Sequence, residues 1–128
     1  MMNKKQSFND DSTGNLKIAK ITFWSGMINN LKEKSSCKER IFIGDEIPAE
    51  IQAIFNSEKI AELSGKWGDP GFGSPIQYQR AVVELENGKS CEIEALNLAI
   101  MLFHSDDKKI KRLFRFIVKV EIYAKSHD

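Results

Sequence analysis

The sequence predicts an α+β domain in two layers, a curved, mainly antiparallel sheet of four or five strands with two helices on one face. Three observations carry that prediction. Residues 76–93 read as a β-hairpin: Val82, Val83 and Leu85 favour a strand, and Asn87-Gly88 supplies the two positive-φ residues of a type I′ turn before a return strand. Residues 112–123 alternate with period two, Phe114, Phe116, Val118, Val120 and Ile122 against Arg115, Lys119 and Glu121, as a long strand with one wet side does. Behind Asp45 and Pro48, the residues Ile51, Ile54, Phe55 and Ala61 trace the apolar stripe of an amphipathic helix reaching about Leu63.

The remaining elements follow in order. Residues 1–15 are polar and predict a mobile arm ahead of a single domain over 16–128. Leu16 to Trp24 is rich in β-branched and aromatic residues and suits a strand. Residues 25–36 fit either one or two helical turns or a wide hairpin connection, because Asn29-Asn30 weakens a helix. Residues 39–44 make a short strand closed by Gly44. Asn56-Ser57 marks a break in the first helix, with Ser57 as cap of a second piece. The return strand of the hairpin is expected to end near Ile93. A helix of about three turns then spans 94–104, apolar on nearly every side, and is expected to be the most buried element, with Leu98 and Ile100 both in the core. Ser105-Asp106-Asp107 ends it.

Composition fits one soluble core. The chain has 128 residues, 41% hydrophobic and 29% charged. The surface scaling laws bury about two-thirds of the unfolded chain's area at this size, enough for a core without metal or disulfide staples. Nineteen basic residues stand against 18 acidic ones, so no global field draws the chain to nucleic acid or to an anionic membrane. The longest apolar run, 95–103, is interrupted by Asn97 and is far short of a membrane span. No apolar stretch follows Lys4-Lys5 as an export signal requires. Cys37 and Cys91 form no disulfide framework and read as reduced thiols in a cytoplasm.

The segment SGKWGDPGFGSP (64–75) concentrates glycine and proline. A phosphate-cradling loop follows a strand and opens a helix, whereas this segment leaves a helix and enters a strand, and it lacks both phosphate-binding glycine patterns. Gly65 suits a helix C-terminus, Asp69-Pro70-Gly71 a turn, and Ser74-Pro75 an extended exit. Turn chemistry has no need of Trp67 and Phe72. These aromatics either fold back on the core or, with Asp69, form part of a surface that meets a partner.

Other chemistries find weaker support. His104 and His127 are far apart and the cysteines isolated, so no metal or other cofactor is expected. Glu84 and Glu86 share a hairpin face with Arg80, and Glu92 and Glu94 flank the predicted helix start. All four read as solvated or first-turn carboxylates rather than an acid–base pair. No nucleophile motif is present, so no catalytic residue is assigned. Lys108, Lys109, Lys111 and Arg112, with Arg115 beyond them, form a basic cluster that gives nucleic acid as a secondary expectation.

In type, rather than in any motif, the chain resembles small bacterial immunity proteins, antitoxins and phage-borne inhibitors: short, near neutral and two-layer α+β. The resemblance implies a non-enzymatic intracellular module that occludes a protein partner. The alternatives are a nucleic-acid-associated accessory protein using 108–115, and a small enzyme whose site assembles from scattered residues.

Overall fold

The computed structural model describes residues 15–72 and 75–127. The arm expected over 1–15 lies, but for its last residue, outside the described residues. The described residues form a five-stranded sheet in the order β2-β1-β4-β5-β3. Its strands are β1 (Ile18–Ile28), β2 (Lys38–Ile43), β3 (Gly65–Gly68), β4 (Ile76–Leu85) and β5 (Ser90–Leu96). All neighbours are antiparallel except β3 and β5, which run parallel. The helices are α1 (Ala49–Ser57), α2 (Leu98–His104) and α3 (Lys108–Ser126). The predicted α+β class with a mainly antiparallel sheet therefore holds, although not every element matches.

One face of the sheet meets the helices. Ile21 and Phe23 of β1, Phe42 of β2, Ala81 and Val83 of β4, and Ile93 and Ala95 of β5 form the sheet half of the core. Ile51 and Phe55 of α1, Ile60 and Leu63 of the following 3-10 turn, Leu98 of α2, and Leu113, Phe116, Ile117 and Val120 of α3 form the other half. This is the strand alternation expected of an antiparallel sheet packed on one side.

The main correction is at 112–123, which is not a strand but most of the 19-residue helix α3. Its buried positions are Ile110, Leu113, Phe116, Ile117, Val120 and Ala124, spaced by threes and fours. Phe114, Val118 and Ile122 form a second stripe, four residues apart, on the flank. The two stripes together produce the period-two pattern. Asp107 caps the helix by accepting the Lys109 N–H at 2.9 Å.

The second correction concerns 94–104. The return strand runs on to Leu96 instead of ending near Ile93, and Glu92 and Glu94 sit on it rather than at a helix start. Asn97, buried and left-handed at φ 56, makes the break. Its amide accepts from Gln77 N–H at 2.9 Å and donates to the Asp69 carbonyl at 2.9 Å, tying β4, β5 and the glycine loop together. The helix that follows is short and not the most buried element: of its residues Leu98 alone is buried, and Phe103 is 89% exposed. Leu98→Ala should therefore lower stability by about 2–5 kcal/mol. Ile100→Ala, at a position 38% exposed, should fall within about 1 kcal/mol of wild type. Urea denaturation of the two variants checks the contrast.

Three smaller differences have local causes. The hairpin turns through a three-residue loop with positive φ at Gly88 alone, closed by Gly88 N–H to Leu85 O at 3.0 Å and Leu85 N–H to Lys89 O at 2.8 Å, not a type I′ turn. Residues 25–28 continue β1, and the turn Leu31–Ser36 follows. The piece after α1 is capped by left-handed Lys59 rather than Ser57. Arg112 of α3 covers that break, donating to the Glu58 carbonyl at 2.8 Å and the Lys59 carbonyl at 3.2 Å.

Candidate recognition groove on the helix-free sheet face

Strand alternation sends every second side chain of the sheet away from the helices. Register then sorts those side chains into rows across the strands. One row crosses all five strands: Glu39 on β2, Trp24 on β1, Arg80 on β4, Glu94 on β5 and Lys66 on β3. The next row contains Gly26, Tyr78, Leu96 and Gly68. The turn Leu31–Ser36 lies over this end of the face and brings Lys34 in from the side. The first row, with Tyr78 of the second and Lys34, lines an open groove of about 970 Å³.

The row is ordered by charge and aromatic contact. The Arg80 guanidinium stacks on the Trp24 ring at 4.7 Å and pairs with Glu92 at 2.6 Å. Glu94, whose side chain is only 12% exposed, accepts from Tyr78 Oη at 2.6 Å and from Lys34 Nζ at 2.8 Å, with Lys66 Nζ at 3.8 Å. Beneath them Ile28, Ile76, Tyr78 and Leu96 form a small apolar cluster against which Trp24 and Cys37 pack.

Burial works to raise the pKa of Glu94. Hydrogen bonds from Lys34 and Tyr78, and the charges of Lys34 and Lys66, outweigh it and hold the carboxyl below its usual range. Burial, then the hydrogen bond to Glu94 and its negative charge, push the Tyr78 phenol well above its usual value. Burial also pushes the Cys37 thiol up. At neutral pH the groove thus presents an ionised carboxylate, a protonated phenol and a protonated thiol.

A folded-state pKa below the unfolded value means that Glu94 stabilises the fold above the unfolded pKa, near 4.5, and that this contribution disappears as pH falls through the folded value. Wild type should melt above Glu94→Gln at pH 7, and the gap should close as pH falls below 4.5. Paired melting curves across that range check the sign.

The residues singled out in sequence fall elsewhere. Trp67 points to the helix side of β3, where its Nε1–H donates to the Leu63 carbonyl at 2.8 Å and its ring packs, half-buried, against the main core. Asp69 Oδ1 accepts the Gly71 N–H at 2.7 Å, and Asp69 N–H donates to Leu96 O at 3.2 Å. Phe72 ends the turn Pro70–Phe72, and its side chain lies outside the described part. The loop does reach the groove through Gly65 and Lys66.

Lys108, Lys109 and Lys111 are exposed on the first turn of α3. Arg112 is engaged with the end of α1 and pairs with Glu62 at 3.6 Å, and Arg115, on α3 rather than on a strand, pairs with Glu58 at 3.0 Å. Among the described residues no three His, Cys, Asp or Glu side chains converge as a metal site would require, and no helix is long and apolar enough to cross a membrane. A second groove, of about 190 Å³, lies between β4 and the flank of α3, lined by Phe114, Val118 and Ile122.

Sequence reasoning missed Trp24, Lys34, Glu39, Lys66, Tyr78 and Arg80 as a group. The available signal was the alternation of Tyr78 with Arg80 and of Glu92 with Glu94 on two strands already assigned to one hairpin. No family model, curated protein or solved structure matches this chain.

Proposed function

We propose that this chain is a non-enzymatic protein-binding module that occludes a partner, as immunity proteins, antitoxins and inhibitors do, and that it uses the helix-free sheet face around Trp24, Tyr78 and Arg80. The observation that carries the reading is the grouping of those three side chains in adjacent rows of one open face. Trp and Arg are prominent in interface energetics, and the sheet presents the part-exposed Trp24 and Arg80 with little left to order on binding, held from below by the buried Tyr78. The fixed ionisation of Glu94 and Tyr78 favours recognition over acid–base chemistry, which needs groups that exchange protons near working pH. The loop that holds Trp67, Asp69 and Phe72 meets this face through Gly65 and Lys66, while the Trp67 ring lies on the helix side of β3. A cytoplasmic setting suits two free thiols, with Cys37 lining the groove and Cys91 in the core on the other side of the sheet.

The test is affinity capture from native lysate by wild type and by Arg80→Ala, a change expected to alter stability by no more than about 1 kcal/mol. A stoichiometric protein held by wild type, and bound at least about 2 kcal/mol more weakly by the variant, supports the reading. Undiminished capture by Arg80→Ala removes the sheet face from it. Retained nucleic acid, weakening by orders of magnitude between about 50 and 200 mM salt and lost in Lys109→Glu/Lys111→Glu, would instead establish the basic segment as the working surface.

A further inference from the structure

The row of charges ends unbalanced. Within it Arg80 is paired with Glu92, and Glu94 with Lys34 and Lys66. Glu39, at the β2 end, makes no ion pair or hydrogen bond among the described residues. It sits directly beside Trp24, on the last strand of the sheet, with no neighbouring strand on its outer side among the described residues.

The edge of β2 keeps a regular ladder. Its register with β1 runs unbroken from Lys20↔Ile43 to Ser25↔Lys38, without the bulge or proline that blunts many edge strands. The Ile43 N–H is taken by Glu46 Oε1 at 3.0 Å, which marks it as facing away from β1. In an antiparallel ladder alternate residues face the same way, so the backbone groups of Ile41 and Glu39 also point outward. On the helix-free face the strand presents Glu39, Ile41 and Ile43, the two isoleucines 45% and 57% exposed.

We propose that the β2 edge accepts an extended segment of a protein partner as a sixth, antiparallel strand, with a Lys or Arg opposite Glu39 and apolar side chains opposite Ile41 and Ile43. Along the partner the pattern reads apolar, any, apolar, any, basic. Main-chain hydrogen bonds supply the docking, and alternate side chains supply the selection. The basic residue extends the charge row to a sixth strand, and its aliphatic stem meets the surface next to Trp24. A second copy of this chain fits poorly. Self-pairings that keep the faces aligned set Glu39 against Ile43, Ile41 or another Glu39, because Lys38 and Arg40 project to the opposite face. The inference rests on the protein-binding reading and names the partner's chemistry.

The probe is the capped peptide Thr-Val-Thr-Val-Thr-Lys-Thr, titrated to millimolar concentration against the full chain by NMR, beside the same peptide with Glu in place of Lys. Opposite and like charges facing across strands differ enough to predict roughly ten-fold tighter binding of the Lys peptide, with shifts and slowed amide exchange at Glu39 and Ile41. Glu39→Lys should reverse the preference. Equal binding of the two peptides, no binding of either, or shifts confined to other strands overturns the inference. A captured protein whose binding is lost in Arg80→Ala but unchanged in Glu39→Lys also overturns it, while leaving the sheet-face reading intact. Loss in neither variant removes both.

Discussion

Replacing Phe116 by alanine should lower stability by about 3–5 kcal/mol, the range for emptying a fully buried aromatic site. Phe116 is completely buried between the sheet and α1, with its ring 5.6 Å from that of Phe55. A domain of this size is stable by roughly 5–15 kcal/mol in total, so the variant should melt roughly 10–20 °C below wild type. Two companions separate a helical from an extended 112–123. In an alternating strand Phe114 and Phe116 share the buried face and cost alike, while Ile117 faces water. In α3 Phe114 is half-buried on the flank and Ile117 is completely buried. Ile117→Ala should therefore cost about 2–5 kcal/mol and Phe114→Ala clearly less than Phe116→Ala. Differential scanning calorimetry on the three variants decides it. A silent Ile117→Ala beside equal losses at Phe114 and Phe116 would contradict the helix.

That segment shows where local pattern was and was not sufficient. Counting only 112–123 leaves out Ile110 and Ala124, the buried positions that extend the spacing of three and four at both ends. Ser105-Asp106-Asp107 has the composition of a break after the preceding element, although Asp107 is equally a helix cap. The first helix and the hairpin were legible because each carries its own boundary signals. The groove was half legible. Which residues of β4 and β5 share a face follows from alternation. Which of them stand opposite one another depends on loop length, and a two-residue turn would shift the pairing by one and set Arg80 against Ala95. The observed three-residue loop sets Arg80 against Glu94. Glu39, Trp24 and Lys66 join that row only through strand pairings with no local sequence signal, one of them parallel and formed by four residues of a glycine-rich loop.

The glycine loop supplies the other large effect, at Gly68. This residue has φ +90, and an added Cβ would lie 1.9 Å from the Leu96 carbonyl oxygen and 2.9 Å from its carbon. Both atoms are backbone, so neither can swing aside. Gly68→Ala therefore requires β3 to leave its register on β5, and the combined displacement and strain should cost about 3–5 kcal/mol. Gly65 is the control. It also has positive φ, at +132, but a Cβ there would meet nothing within 4 Å, so Gly65→Ala should cost only backbone strain of about 1–3 kcal/mol. The two variants should also differ in kind. Moving β3 withdraws Lys66 from Glu94 and pulls the Trp67 indole from the Leu63 carbonyl. Gly68→Ala should then shift tryptophan fluorescence and raise the Glu94 pKa toward its ordinary value, while Gly65→Ala leaves both near wild type. Equal melting points and unchanged fluorescence in the two variants would mean that the chain tolerates a side chain at this crossing, and that the contact between Gly68 and Leu96 does not hold β3 in the sheet.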